Sequence, residues 1–156
     1  MKHAARSAAR ESEPVASIGL AVWSRLLESH NLLFAAVRRQ LAAECTMPRF
    51  ELLTNLEHED GQTLAALSRR MFVTPGNLTG LVDRAERDDM VERRADPTDR
   101  RLSRVYLTAR GRELVQSLLP AHAHYVAELL SSLDPGERRE LRRLLGKLTT
   151  ALLDRS

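Results

Sequence analysis

The side chains best suited to reading another molecule fall in one stretch, Thr74-Pro75-Gly76-Asn77-Leu78-Thr79-Gly80-Leu81-Val82-Asp83-Arg84. Thr74 suits a helix N-cap, and Pro75 suits the first helical position because an N–H there would lack a partner anyway. From that start Leu78, Leu81, Val82 and Ala85 share one face. Gly76, Gly80, Asp83 and Arg87 share the opposite one, flanked by Asn77, Thr79 and Arg84. A glycine inside a helix costs about 1 kcal/mol relative to alanine, so Gly80 on an exposed face needs a reason, and close approach of another molecule is one. Small polar residues at a helix N-terminus are what a DNA major groove admits, and the positive end of the helix dipole attracts phosphate. Taken alone, the stretch fits an ordinary surface helix equally well.

Its surroundings narrow the choice. Thr63 caps a short helix over 64–70 that packs through Leu64 and Leu67, and Met71-Phe72-Val73 is a tight connection. Two short helices so joined make a helix-turn-helix. Downstream, two β-like runs, 90–94 and 102–107, flank Ala95-Asp96-Pro97-Thr98-Asp99-Arg100-Arg101, a hairpin with an arginine-rich tip. From Asp83 to Arg104 seven arginines oppose seven acids, so the segment is neutral, yet its bases gather at the wing, where arginine can enter a minor groove. Asp96 and Asp99 would repel phosphate unless they pair with arginine and hold it in position. The hairpin alone reads equally as a solvated turn. Joined to the helix-turn-helix, it points to double-stranded DNA.

Three periodic stretches must position this lobe. Leu20, Trp23, Leu27, His30, Phe34, Val37 and Leu41 recur at spacings of 3 and 4, predicting a helix over roughly 17–44. Val115, Leu119, His122, Val126, Leu129 and Leu133 do the same, with Pro120 expected to kink that helix. Asp134-Pro135-Gly136-Glu137 forms a capping box before the stripe Leu141, Leu145, Leu148 and Leu152, with Arg138, Arg139, Arg142 and Arg143 mostly off it. Between them, Thr46-Met47-Pro48 opens a helix carrying Phe50, Leu53 and Leu56, which Glu59-Asp60-Gly61 ends. A helix of about 27 residues is some 40 Å long, more than a small domain is wide, so the terminal stripes are expected to pack on a second copy. The predicted fold is mainly α with a small β-wing. It divides into a flexible arm (1–16), a dimerisation helix (17–45), a winged helix-turn-helix lobe (46–107) and C-terminal dimerisation helices (108–156), forming a homodimer.

Composition removes other classes. The 156 residues, 43% hydrophobic and 29% charged, suit one domain with a core and exclude a disordered chain. The longest apolar runs, 18–23 and 32–37, are six residues each, against roughly 20 for a membrane span. Residues 1–14 carry Lys2, Arg6 and Arg10 with no apolar core after them, unlike a secretory signal. The lone Cys45 excludes an internal disulfide, fits a reducing cytoplasm and reads as a small structural residue. There is no nucleophile elbow, phosphate-binding glycine loop, zinc signature or paired catalytic carboxylate, and Ser68 or Ser103 with a distant histidine has no positive support as an enzyme. His30, His122, His124 and His58-Glu59-Asp60 lack ligand spacing, so no metal or cofactor is expected. His30 and His122, lone polar members of apolar stripes, read as satisfied core or interface histidines.

Residues 73–84, then Asp96-Pro97-Thr98-Asp99-Arg100-Arg101, then Leu107-Thr108-Ala109-Arg110-Gly111 resemble the multiple-antibiotic-resistance regulator (MarR) family of winged-helix repressors, over about 18–153. The resemblance implies a homodimer with two lobes on a palindromic operator. It assigns Gly76, Asn77, Thr79 and Arg84 to the groove-facing helix, and the cap and exposed face of that helix add Thr74, Pro75, Gly80 and Arg87 as expected DNA contacts. Asp99 would orient the wing, and Arg100 or Arg101 would reach the minor groove. The peroxide-sensing branch uses a cysteine near the start of the first long helix, where this chain has Trp23 instead. Members that take urate or phenolic ligands look similar in carrying a tryptophan on that helix. Trp23, Leu27 and His30 are therefore the expected contacts of an aromatic, phenolic or purine-like anion, with Arg93 or Arg94 as counter-charge. A packing role for Trp23 at the dimer interface stands beside that reading, and a constitutive architectural DNA-binding dimer stands beside the ligand-responsive regulator.

Overall fold

The computed structural model describes residues 15–99 and 101–155. Their order is α1 (Val15–Leu41), α2 (Met47–His58), β1 (Gln62–Thr63), α3 (Leu64–Arg70), α4 (Pro75–Arg87), β2 (Val91–Ala95), β3 (Ser103–Leu107), α5 (Ala109–Leu129) and α6 (Pro135–Leu153). The arm predicted over 1–16 lies outside the described residues as far as residue 14, and Val15 and Ala16 already belong to α1. The chain forms two compact units, one ending at Arg39 and the other beginning at Gln40.

In the first unit, α1 leaves Leu20, Trp23, Leu27 and Phe34 exposed. Arg25 pairs with Glu28 one turn on at 2.8 Å, and the rings of His30 and Phe34 stack with centroids 5.9 Å apart. His30 is exposed in the single chain, so the predicted core histidine is absent from this unit's interior.

In the second unit, α2 buries Phe50, Leu52, Leu53 and Leu56. Leu52 widens the predicted stripe because α2 packs on more than one side, against α5, β3 and α4. From α4 come Leu78, Leu81, Val82 and Ala85, the four residues its spacing selects. On α3, Leu67 is fully buried while Leu64 is only half-buried. A three-stranded antiparallel sheet of order β1-β3-β2 closes the lobe. Val91 pairs with Leu107 and Arg93 with Val105 across the hairpin, while Gln62 pairs with Val105 on the other side of β3. Two residues are too few to show alternation, which is why β1 has no signature in the sequence. Its anchor is Gln62, buried, whose Nε2 donates to the Asn55 carbonyl at 3.0 Å and to the Glu59 carbonyl at 2.8 Å.

The sheet hands over to α5 through Thr108. Its Oγ1 accepts from the Gly111 N–H at 3.0 Å and donates to the Asp89 carbonyl at 2.6 Å. The α5 helix continues through Pro120, and Leu133 lies beyond its end. In α6 the predicted capping box is present, with Asp134 accepting from Gly136 and Glu137 and the Glu137 side chain accepting from the Asp134 N–H. Its leucines, Leu141, Leu145, Leu148 and Leu152, are all exposed in the single chain.

Gly111 sits where the first turn of α5 meets the hairpin, and a Cβ there would fall 1.9 Å from the Met90 carbonyl oxygen. The obstacle is backbone, so the helix would have to move away from β2. Gly111→Ala should destabilise the chain by roughly 3 kcal/mol. A urea titration should show a lowered midpoint at an unchanged slope.

Candidate nucleic-acid interface

The local chemistry of α4 separates an anchored face from a free one. Thr74 holds extended backbone (φ −67°, ψ 150°), and its Oγ1 accepts from the Asn77 N–H at 3.3 Å, so Thr74 spends its side chain on the cap. Thr79 Oγ1 donates to the Pro75 carbonyl at 2.9 Å, which leaves its methyl group and the hydroxyl oxygen's lone pairs for a partner. Pro75, Gly76, Asn77, Thr79, Arg84 and Arg87 are exposed. Arg87 folds back to donate from Nε to the Asp83 carbonyl at 3.4 Å. Gly80 differs from its predicted state: it is half-buried, because the Arg84 side chain leans over it with Nη1 3.4 Å from where a Cβ would stand. Gly76 has open space around it.

Arg93 on β2 ties the hairpin to this helix. Its guanidinium bridges Asp83 and Glu86 of α4, and its N–H donates to Glu86 Oε1 at 3.0 Å. Arg94 pairs with Glu92 and lies 4.6 Å above the Tyr106 ring. Both arginines offered by the sequence as counter-charges for a ligand are thus already matched inside the lobe.

At the wing tip one carboxylate organises the turn. Asp96 is 2% exposed. Its Oδ1 accepts from the Thr98 N–H at 2.8 Å, the Thr98 hydroxyl at 2.6 Å and the Asp99 N–H at 3.0 Å, while Oδ2 accepts from Arg104. Arg104 also donates to the Gly61 carbonyl at 2.8 Å, pinning the hairpin to the start of β1. These donors, led by the Thr98 hydroxyl and backbone N–H, hold the Asp96 carboxyl far below the usual carboxylate range. Asp99 is exposed, and its Oδ1 accepts from the Arg101 N–H at 3.0 Å. Arg101 is exposed with no ion pair among the described residues, and Arg100 lies outside them. The turn therefore takes most of its order from Asp96, whereas the sequence reading gives the orienting role to Asp99. Its signal was present as an Asp followed by Thr two residues on, the pattern of a side chain bonding its own turn.

Trp23, 60% exposed, shares a face of α1 with Leu27 and His30. Cys45 is buried, and burial pushes its thiol up against the opposing pull of Arg49. His122 packs edge-to-face on Phe50 with centroids 4.8 Å apart, and burial lowers its pKa. The sequence predicts a satisfied histidine here, but among the described residues Nδ1 of His122 is buried without a hydrogen-bond partner, as is Oε1 of Gln40. Neither orphan could be seen in sequence, because a missing partner is a fact of packing. Among the described residues no three His, Cys, Asp or Glu side chains gather closely enough to hold a metal, and no helix is long and apolar enough to cross a membrane.

The MarR family profile matches residues 45–103, which run from the end of the first helix through the wing. YsmB of Bacillus subtilis (strain 168), an uncharacterized HTH-type transcriptional regulator, is 30% identical over 103 residues, 66% of this chain and 70% of the relative. The chain belongs to the MarR family. It has the winged helix-turn-helix of that family of transcriptional regulators. YkoM of the same organism, likewise an uncharacterized HTH-type transcriptional regulator, is 34% identical over 98 residues, 63% of this chain and 64% of the relative. The chain thus spans just under two thirds of YkoM. A solved structure of Bordetella bronchiseptica BpsR, a protein whose DNA binding is regulated by 6-hydroxynicotinic acid, superposes with a TM-score of 0.76 at 23% identity. It covers 83% of this chain and 98% of BpsR, and so shares the MarR fold.

A lowered folded-state pKa means that Asp96 contributes stability above its unfolded value near 3.9, and that this is lost only as pH falls below it. Wing order should accordingly be constant from about pH 5 to 8. Asp96→Ala should speed amide exchange at Thr98 and Asp99 while the protection of α4 stays as it is, and hydrogen-exchange mass spectrometry reads both.

Proposed function

We propose that this MarR-family chain acts in the cytoplasm as a homodimeric repressor on a palindromic operator. One α4 helix enters each major groove, and Arg100 or Arg101 of each wing reaches the flanking minor groove. The observation that carries this reading is the division of α4: Leu78, Leu81, Val82 and Ala85 are buried while Pro75, Gly76, Asn77 and Thr79 are exposed at its N-terminal end. Dimerisation is supported by α6, whose leucine stripe has no cover in the single chain, and separately by the uncovered apolar residues of α1. Release by a small aromatic, phenolic or purine-like anion at Trp23, Leu27 and His30 is supported by the shared, uncovered face of those residues. BpsR, with its aromatic acid effector, adds weight from the fold.

The wild-type protein should select, from a random-sequence duplex library, a pseudo-palindrome with half-sites about one helical turn, ~10 bp, apart, and should be a dimer by light scattering. A monomer on DNA would overturn the assembly, and coating without sequence preference would mean an architectural protein. Arg101→Ala should weaken binding to all duplexes and lower the salt slope by about one, whereas Asn77→Ala or Thr79→Ala should shift preference among selected sites.

A coupling of about 1–3 kcal/mol suffices for an effector to weaken DNA binding some 5- to 150-fold. Trp23 fluorescence should change over the same effector concentrations that release the duplex, with simple aromatic carboxylates as the first probes. Equal release from wild type and Trp23→Ala would place the effector elsewhere.

A further inference from the structure

The α3 helix ends in a turn that disfavours the residue it contains. Met71 caps the helix at φ −89° and ψ −1°, and Phe72 follows at φ +53°. The Phe72 N–H donates to the Arg69 carbonyl at 3.3 Å, and the Val73 N–H donates to the Ser68 carbonyl at 3.1 Å. That pair of bonds is the Schellman ending, whose left-handed position is usually glycine and sometimes asparagine. A bulky side chain there crowds its own backbone. The turn cannot relax to relieve it, because Ser68 Oγ also donates to the Val73 carbonyl at 2.6 Å from a buried position. Burial does not compensate either. Phe72 is 82% exposed, the most exposed large apolar side chain among the described residues.

Backbone and solvent thus both oppose phenylalanine at this position, and what remains is a use outside the chain. Its neighbours indicate which use. Arg69 and Arg70 close α3 just before it, and the exposed Thr74, Pro75, Gly76 and Asn77 open α4 just after it. Arg70 is engaged by Glu59 at 2.8 Å, whereas Arg69 has no ion pair among the described residues. An exposed aromatic ring between a free cation and the positive end of a helix suits a polyanion that also carries apolar groups. We propose that Phe72 is a DNA-contacting residue, its ring laid on a thymine methyl group or a deoxyribose beside phosphates held by Arg69 and the α4 N-terminus. This rests on the DNA-binding reading above. The fixed backbone turn holds the ring ready, so little freedom is lost on contact.

The test uses Phe72→Gly and Phe72→Asn, both suited to the left-handed turn, with duplexes selected from a random library by the wild-type protein. Both variants should melt within a few degrees of wild type, remain dimers, and bind the selected duplex roughly tenfold more weakly. Replacing thymines by uracil one at a time locates the contact. If one substitution weakens wild type and leaves the variants unchanged, the ring lies on that methyl; if none does, it lies on the sugar. Variants that bind as wild type does, or that change only the oligomeric state, overturn the assignment while DNA binding stands. A wild type that selects no duplex overturns both.

Discussion

Burial of one face of α4 is the constraint on which the rest of this lobe depends. Leu78, Val82 and Ala85 are fully buried and Leu81 nearly so, which fixes the rotation of the helix about its own axis. Full burial of a leucine or valine is worth about 1.5–3 kcal/mol, so turning the helix by even one position would forfeit several such contributions. The exposure of Gly76, Asn77 and Thr79 follows from that rotation. Polar residues alone could not have fixed it, since each is as well solvated in one direction as in another.

Charge pairing then transmits the anchor to the wing. Arg93 holds two carboxylates of α4, Arg104 joins Asp96 to the backbone at Gly61, and Arg112 of α5 reaches Glu57 of α2 and Asp60 just beyond that helix, each at 2.8 Å. Most of these pairs are partly exposed, where a single ion pair contributes little stability. Their effect is sorting. The stretch from Asp83 to Arg104 is neutral as a sum, and Asp83, Glu86, Glu92 and Asp96 are engaged by arginines on strands. Among the described residues of that stretch Arg84, Arg87 and Arg101 carry no ion pair, and neither do Asp89 and Asp99.

The backbone makes special demands at Gly111 and at Phe72, and the two are met differently. At Gly111 the close approach of the Met90 carbonyl is met by the residue with no Cβ. At Phe72 a left-handed backbone carries a large exposed ring. In the first case residue and backbone agree; in the second they conflict. Local conflict of this kind is where selection for something other than folding leaves its mark.

What the sequence determined by itself was whatever depends on spacing along one chain. The stripe of α4, the caps at Thr63, Thr74 and Asp134, the hairpin and the Asp-x-x-Asp-Arg-Arg tip are all local patterns, and local patterns dictate local structure. Tertiary structure alone decided that Asp96 is buried and joined to Arg104. It also decided that Arg93 is spent on α4 and that β1 exists at all. The contacts that tie the hairpin to β1 join partners distant in sequence: Arg104 against Gly61 is 43 residues apart, and Leu107 against Asp60 is 47. Periodicity carries no information about such distances, because they are set by how the buried faces of α2, α4 and the sheet close on one another.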